Sequence, residues 1–184
     1  MDFAKKNAVD LVFVAPDDPL AMGAVDRLHA LGIPCFGPDA KAAEIESSKV
    51  FAKTLMKRYG IPTAAYEVFS EAEAALAYLK KASYPAVIKA DGLALGKGVI
   101  IAQNYGEAEA AIDSIMRARK FGASGSRVVV EEFLSGPEVS VLAFTDGKTL
   151  VPMVSSMDHK RALDGDLGLN TGGMGTVAPN PYYT

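Results

Sequence analysis

Ala86-Val-Ile-Lys-Ala-Asp-Gly-Leu-Ala-Leu-Gly-Lys-Gly-Val-Ile-Ile-Ala102 sets a glycine-rich turn between two short apolar runs. Ala86 to Ala90 and Gly98 to Ala102 read as strands, because β-branched residues bounded by glycine favour extended chain. Gly92, Gly96 and Gly98 let the backbone take positive φ and approach a ligand closely. The N–H groups of such a turn suit phosphate oxygens, with Lys89 ending the first strand and Lys97 inside the turn. It is not a Walker A loop. The spacing from Gly92 to Gly96 is one residue short, Gly98 follows Lys97 where Ser or Thr is required, and a strand follows instead of a helix. By itself the segment reads equally as a phosphate loop or as a flexible β-turn with solvated lysines.

Outward from this turn, strand and helix signals alternate, which gives a mixed α/β and α+β chain. Toward the N-terminus, Leu11-Val-Phe-Val14 and Ile33 to Phe36 read as short strands. Between them Asp18 caps a helix with Pro19 at its first position, Leu20, Ala24, Leu28 and Leu31 keep helical spacing, and Gly32 stops it. Ser47 or Ser48 caps a helix through Arg58, with Phe51, Leu55 and Tyr59 as its apolar stripe, ended by Gly60 and Pro62. Tyr66 to Phe69 is a strand. Ser70 to Glu73 and Asn104 to Glu107 have the form of capping boxes for helices reaching about Lys81 and Arg119. Arg127 to Phe133 and Glu138 to Thr145 are further strands, and Asp146-Gly147 marks a hairpin before Leu150 to Val154. Beyond Asp158 the chain is rich in Gly and Asp and lacks apolar periodicity, so a long functional loop is expected.

Composition narrows the function. The chain has 184 residues, 49% hydrophobic and 22% charged, the balance of a globular protein with a real core. Its longest apolar runs fall far short of the ~20 residues a membrane helix needs. A net charge of −3 supplies no basic field for nucleic acid. The single cysteine, Cys35, excludes an internal disulfide and a paired-cysteine metal site. With no signal-peptide pattern, the expected location is cytoplasmic, with neither a nucleic-acid nor a membrane partner.

Two more segments carry chemistry. In Val128-Val-Val-Glu-Glu-Phe-Leu134 a buried strand ends in adjacent carboxylates, which strands disfavour. An adenine edge fits there, against the carbonyl near Glu132 and the N–H of Leu134, with Glu138 placed for ribose hydroxyls. Taken alone, the segment reads better as a strand end with its charges in water. Met157-Asp-His-Lys-Arg-Ala162, followed by Asn170-Thr-Gly-Gly-Met-Gly175, reads as a loop for anionic and polar substrates, with positive charge on Lys160 and Arg161. It is not an EF-hand, since glycine occupies two of the ligand positions. No His/Cys cluster supports zinc, the only histidines being His29 and His159.

Together with Ser48-Lys-Val-Phe-Ala-Lys53 and Ile61-Pro-Thr-Ala64, these segments in this order resemble the phosphoribosylamine–glycine ligase family of ATP-grasp enzymes. The resemblance covers essentially the whole chain. It implies that Lys53 and Lys89 reach the phosphates of ATP, with Gly92, Gly96, Lys97 and Gly98 as a lid. It gives adenine to Glu131, Glu132, Phe133 and Leu134, and ribose to Glu138. Pro19, Leu20 and Gly23 fall on the sugar-phosphate side. Asp158, His159, Asn170, Thr171, Gly172, Gly173, Met174 and Gly175 shape the glycine and phosphoribosylamine side, with Lys160 and Arg161 catalytic. The implied reaction joins glycine to phosphoribosylamine through a glycyl phosphate. It asks the protein mainly to position groups and neutralise charge.

The family's opening Gly-Gly-Arg-Glu-His turn has no counterpart here, Ala15-Pro-Asp-Asp18 departs from the usual Gly-Pro-Glu, and the late strands carrying the Mg²⁺ ligands are missing. No metal ligand is therefore assigned. The expected organisation is a partial N-terminal substrate domain (1–47), a linking helix (48–62), an ATP-grasp lid (63–130) and the first part of the ATP-grasp core (131–184). Such an internal fragment is expected to lack ligase activity alone. Its cut strand edges offer a route to self-association. A nucleotide-binding module without catalysis, and an ATP-grasp ligase for another carboxylate, are the alternatives.

Overall fold

The computed structural model describes residues 1–94 and 98–183. It divides into two compact units, Met1–Ala94 with Gly98–Phe133, and a second beginning at Leu134. Gly96 and Lys97 lie outside the described residues, and of Asn170 only the backbone is described.

The first unit opens with α1 (Asp2–Lys6), β1 (Val12–Phe13), α2 (Asp17–Ala21), α3 (Ala24–Ala30), β2 (Cys35–Phe36), α4 (Ala40–Ser47) and α5 (Lys49–Tyr59). β1 and β2 pair in parallel over a small core of Val14, Val25, Leu28 and Ile33. The single helix expected from Leu20 to Leu31 is two, because Gly23 turns to φ +75° between α2 and α3. The start also moves: Pro16 is the cap, so Pro19 stands inside the first turn rather than opening it. Asp17 and Asp18 come first, where the positive end of a helix favours acids.

Ser48 caps α5 as expected, its Oγ accepting from Phe51 N at 3.1 Å, and Gly60 ends the helix at φ +65°. The predicted stripe of Phe51, Leu55 and Tyr59 is not what buries the helix. Phe51 and Leu55 are half-buried and Tyr59 is exposed; the one fully buried side chain of α5 is Lys53.

The remainder of this unit is a four-stranded antiparallel sheet backed by two helices. In chain order its elements are β3 (Tyr66–Phe69), α6 (Ala72–Leu79), β4 (Ala86–Ala90), β5 (Val99–Ala102), α7 (Tyr105–Ile112) and β6 (Val128–Glu132). A π-helical turn, Asp113–Arg117, and a 3-10 turn, Gly122–Ser126, lead into β6. The strand order is β3-β6-β4-β5. Strand alternation gives the sheet two different faces. Ile88, Ala90, Val128 and Val130 pack with Leu76, Leu79, Ile112 and Ile115 into the main core. Val87, Lys89, Val129 and Glu131 project to the opposite side.

One capping box forms and one does not. Asn104 Oδ1 accepts from Glu107 N at 3.0 Å, and Glu107 Oε2 accepts from Gln103 N at 2.9 Å. Before α6 the cap is Glu71, one residue later than the box requires and with no side-chain bond, so Glu73 falls at the second helical position and pairs with Arg117 at 3.0 Å.

The second unit consists of two hairpins. β7 (Ala143–Thr145) and β8 (Leu150–Pro152) flank the turn at Asp146, whose Oδ1 accepts from Lys148 N and Thr149 N at 2.9 and 2.7 Å. The strand expected from Glu138 shortens to β7 and a bridge between Ser140 and Ser156. The expected loop beyond Asp158 is in fact β9 (Met157–Leu163) paired with β10 (Leu167–Val177), with register shifts on either side of Asn170. Ladder bonds run between backbones, so a glycine-rich strand can pair without the apolar alternation that reveals strands in sequence.

The core accounts for stability in a checkable way. Ile112→Ala is expected to lower unfolding free energy in urea by about 2–5 kcal/mol, the range for a large buried side chain. Asn104→Ala should lower it by about 1 kcal/mol through loss of the cap. Tyr59→Ala should change it by less than about 0.5 kcal/mol. An equal loss for Tyr59 and Ile112 would overturn this placement of the core.

Candidate functional site

The polar face of the sheet gathers the first group of candidates. In register, Glu131 lies opposite Val87, and Lys89 opposite Val129. Lys89 and Glu131 are therefore diagonal neighbours on one face, within reach for long side chains. Lys89 Nζ stands 3.0 Å from Glu131 Oε1, and Lys53 Nζ stands 2.9 Å from Oε2. Glu131 and Lys53 are buried, whereas Lys89 is partly open. Lys53 also donates to Thr63 Oγ1 at 2.7 Å and to the Ala64 carbonyl at 3.4 Å. Its charge lies 5.4 Å from the ring centroid of Tyr66. One buried carboxylate thus holds two ammonium groups from two other elements.

Lys49, quoted in the sequence only as part of a motif, joins this group. One helical turn before Lys53, it donates from Nζ to the carbonyl of Gly92 at 2.9 Å, at the root of the glycine-rich segment. Burial, with the charge of Lys89 as the next cause, lowers its pKa below the usual lysine value. Asp91, Glu46 and Glu131 oppose that shift. The signal in the sequence was the spacing of Lys49 and Lys53, which puts both on one side of α5.

Glu132 has a different occupation. Its Oε1 accepts from Ala65 N at 2.9 Å, and its own N–H donates to the Ala65 carbonyl at 3.0 Å. It extends the pairing of β6 with β3 past the strand end and is not merely a solvated strand end. Phe133 and Leu134 are exposed. Gly92 has φ +145°, and a Cβ there would meet Ser124 Oγ at 2.4 Å, so only glycine fits. A Cβ on Gly98 would meet the Ala94 side chain at 2.7 Å. Leu20 packs on the N-terminal core with Pro19 half-buried beside it in α2, and Gly23 serves the break between helices.

In the second unit, the alternation of β9 divides candidates that are contiguous in sequence. Asp158 and Lys160 face one way, His159 and Arg161 the other. Lys160 pairs with Asp158 and lies 3.4 Å from Glu138. The hydrogen bond to Asp158 is the main cause that raises its pKa above the usual lysine value, so it stays protonated through the neutral range. Thr171 Oγ1 donates to the Lys160 carbonyl at 2.9 Å and accepts from Gly173 N at 3.0 Å. Gly173 has φ +126°, and a Cβ there would stand 2.8 Å from Asp158 Oδ1. Asp158, Gly172, Gly173 and Gly175 line a cavity of about 400 Å³ with Ser140 and Ser156. His159, Arg161 and Met174 line a separate one of about 300 Å³ with Asp164 and Asp166. Arg161 donates to the Gly168 carbonyl at 2.7 Å. Glu138, the ribose candidate, pairs with Lys160 through its side chain, and its carbonyl accepts from Asn180 Nδ2 at 2.8 Å.

The carboxylates do not make a magnesium cradle. Glu131 is shared by two lysines, Asp91 is paired with Arg127, and Asp158 and Glu138 with Lys160. Among the described residues no three His, Cys, Asp or Glu side chains converge on a metal position. No helix among them is long and apolar enough to cross a membrane.

Comparison with known proteins accounts for the whole chain. Residues 1–46 match the phosphoribosylglycinamide synthetase N domain, and residues 47–184 match the ATP-grasp (A) domain of the same synthetase. Phosphoribosylamine–glycine ligase from Halalkalibacterium halodurans is 53% identical over 182 residues, which is 99% of this chain and 42% of that protein. The Pseudomonas aeruginosa ligase is 54% identical over 183 residues, or 100% of this chain and 42% of that protein. The chain thus spans about two fifths of the length of the curated relatives it matches. The crystal structure of the Thermotoga maritima ligase superposes with a TM-score of 0.72 at 44% identity, covering 77% of this chain and 36% of that one. A Campylobacter jejuni biotin carboxylase, solved as a β,γ-ATP complex, shares the fold alone, at a TM-score of 0.73 and 21% identity over 86% of this chain and 36% of that one. Matched from end to end by two adjoining domain models, the chain belongs to the phosphoribosylglycinamide synthetase family.

Proposed function

We propose that this chain carries the ATP-binding part of a cytoplasmic ligase that joins glycine to 5-phosphoribosylamine in purine biosynthesis. The observation that carries the reading is the cluster of Lys49, Lys53 and Lys89 around buried Glu131, at the root of the glycine-rich segment. Organisation follows the same reading: partial substrate domain to residue 47, linking helix to 62, lid to 130, then the first part of the ATP-grasp core.

In the reaction, a glycine carboxylate oxygen attacks the γ-phosphorus of ATP and ADP leaves. The amine nitrogen of phosphoribosylamine then attacks the acyl carbon, phosphate leaves, and the nitrogen loses a proton. Mg²⁺ neutralises phosphate charge in such transfers. The carboxylates described here do not form its site, so no step is assigned to it. Positioning and charge are what this chain supplies. Of the two lysines expected at the phosphates, partly open Lys89 keeps that role and is joined by Lys49 across the glycine-rich turn of Gly92 and Gly98, whereas Lys53, buried against Glu131, stands behind them and does not reach the phosphates itself. The backbone from Glu131 to Leu134 takes adenine and Glu138 the ribose. On the acceptor side, Asp158 and Lys160 with Gly172 and Gly173 form one subsite. His159 and Arg161 with Met174 form the other, and Pro19, Leu20 and Gly23 belong to the sugar-phosphate side.

Calorimetry with ATP tests this directly. Wild-type chain should bind ATP, and Lys89→Ala or Lys49→Ala should weaken binding by about tenfold or more, the worth of a charge-assisted contact. Unchanged affinity in both variants would remove the phosphate assignment. ADP release dependent on glycine and phosphoribosylamine is expected to be absent from the 184 residues alone. Measurable turnover would show that they suffice.

Two further outcomes follow from the cluster. Glu131→Ala leaves Lys53 buried without its counter-ion and should cost about 3–5 kcal/mol of stability in urea unfolding. A loss below about 1 kcal/mol, the scale of a surface pair, would show that the carboxylate is not truly buried. Because the Lys49 pKa is lowered, its free amine appears at lower pH than that of an ordinary lysine. Amine-directed labelling of Lys49 should therefore rise in mildly alkaline buffer, and bound ATP should suppress it by restoring the charge. Labelling that ATP leaves unchanged would contradict the proposed contact.

A further inference from the structure

Asp91 is buried, yet none of the roles above uses it. It is the first residue after β4, where the glycine-rich segment leaves the sheet. Its Oδ1 accepts from Ser48 Oγ at 3.0 Å and from Val50 N at 3.1 Å, both in the opening turn of α5. Its Oδ2 accepts from Arg127 Nη2 at 2.5 Å, and its N–H donates to the Arg127 carbonyl at 3.1 Å, just before β6 begins. The next residues are tied as well. Lys49 Nζ holds the Gly92 carbonyl, and Ser124 Oγ donates to the Leu93 carbonyl at 3.1 Å. Ser48 satisfies only Phe51 N, and Asp91 satisfies the neighbouring donor, Val50 N. Because the same carboxylate also holds Arg127 and stands at the end of β4, it ties the start of α5 to the root of the glycine-rich segment as well as capping it.

We propose that Asp91 is a positioning residue. Its carboxylate clamps the root of the glycine-rich segment to the first turn of α5 and to Arg127, and so sets where Lys49 stands relative to Lys89. An asparagine there keeps one weaker acceptor oxygen for Ser48 and Val50 but turns an N–H₂ donor toward Arg127, and so loses the charge-assisted bond, roughly twice as strong as a neutral one. The consequence for ATP rests on the function proposed above; the clamp itself does not.

The test uses the whole chain as wild type, Asp91→Asn, Arg127→Gln and the double variant. Amide hydrogen exchange at Val50 and Asp91, whose N–H groups make two of the bonds, reads the clamp without nucleotide. Either single variant should speed exchange there by about tenfold, while amides of α6 and β4 keep their protection. The double variant should add little, because the two side chains act through one pair. ATP affinity should fall by about tenfold in step. Unchanged exchange at Val50 and Asp91 in both single variants overturns the clamp. Faster exchange with unchanged ATP affinity overturns the positioning role, provided Lys89→Ala does weaken ATP. If Lys89→Ala has no effect either, the ATP assignment fails and the exchange result alone decides for or against the clamp. Should Asp91→Asn fail to fold, Arg127→Gln carries the same test, since that guanidinium is about half exposed.

Discussion

A carboxylate buried in a protein interior must be paired, because removing an ion from water costs several kcal/mol that only close opposite charge and hydrogen bonds return. Glu131 is in that position, and much of the first unit is arranged to meet it. Its partners come from different elements, Lys53 from α5 and Lys89 from β4. Each can reach Glu131 only if its own element is correctly seated. A buried ion pair adds little net stability over an apolar isostere, but it penalises every arrangement that leaves one partner alone. This explains α5, whose fully buried side chain is a lysine. The helix docks through a charge and its hydrogen bonds, with Phe51 and Leu55 only half-buried beside it.

The sheet makes this possible by keeping its two faces chemically separate. Side chains alternate along a strand, so a one-residue shift of β6 against β4 would send Glu131 into the apolar core and Val130 toward the lysines. Ile88 and Val130 are buried against α6 and α7, and that hydrophobic requirement fixes the register. The ion cluster is thus held in place by the packing on the other side of the same strands. Packing supplies the stability, and the polar face supplies a specific geometry that packing alone would not select.

Local rules were legible in the sequence wherever a residue acts on its own neighbours. Ser48, Gly60, Asn104 and Asp146 each do what their chemistry predicts, since their partners lie within a few residues. Legibility failed where a boundary shifts or a distant group intervenes. Glu73 has the form of a capping residue, but α6 starts one residue late for the box and Glu73 pairs with Arg117. The run from Asp158 to Arg161 looked like one site, but its hairpin partner turns alternate residues to opposite faces. That hairpin itself was unreadable, because Gly172, Gly173 and Gly175 contribute backbone and no side-chain pattern. The family was legible from its motifs, whereas the role of Glu131 was not. Its lysines are brought to it by register and by helix docking, neither of which a contiguous motif records.

The charge balance of the cluster follows from these placements. Lys53 and Lys89 pair with buried Glu131, Arg127 pairs with buried Asp91, and Lys49 beside them is held by the Gly92 carbonyl. The chain as a whole carries −3, so the local excess of positive charge runs against the net sign. Such an excess is unfavourable where burial weakens solvent screening, and Lys49 registers it: burial lowers its pKa first, and the nearby charge of Lys89 lowers it further. An anion placed beside Lys49 and Lys89 would remove the second cause and offset the first. A site that is electrostatically incomplete when empty binds a polyanion partly by relieving its own strain, and this relief is larger for a phosphate chain than for a neutral ligand of the same shape.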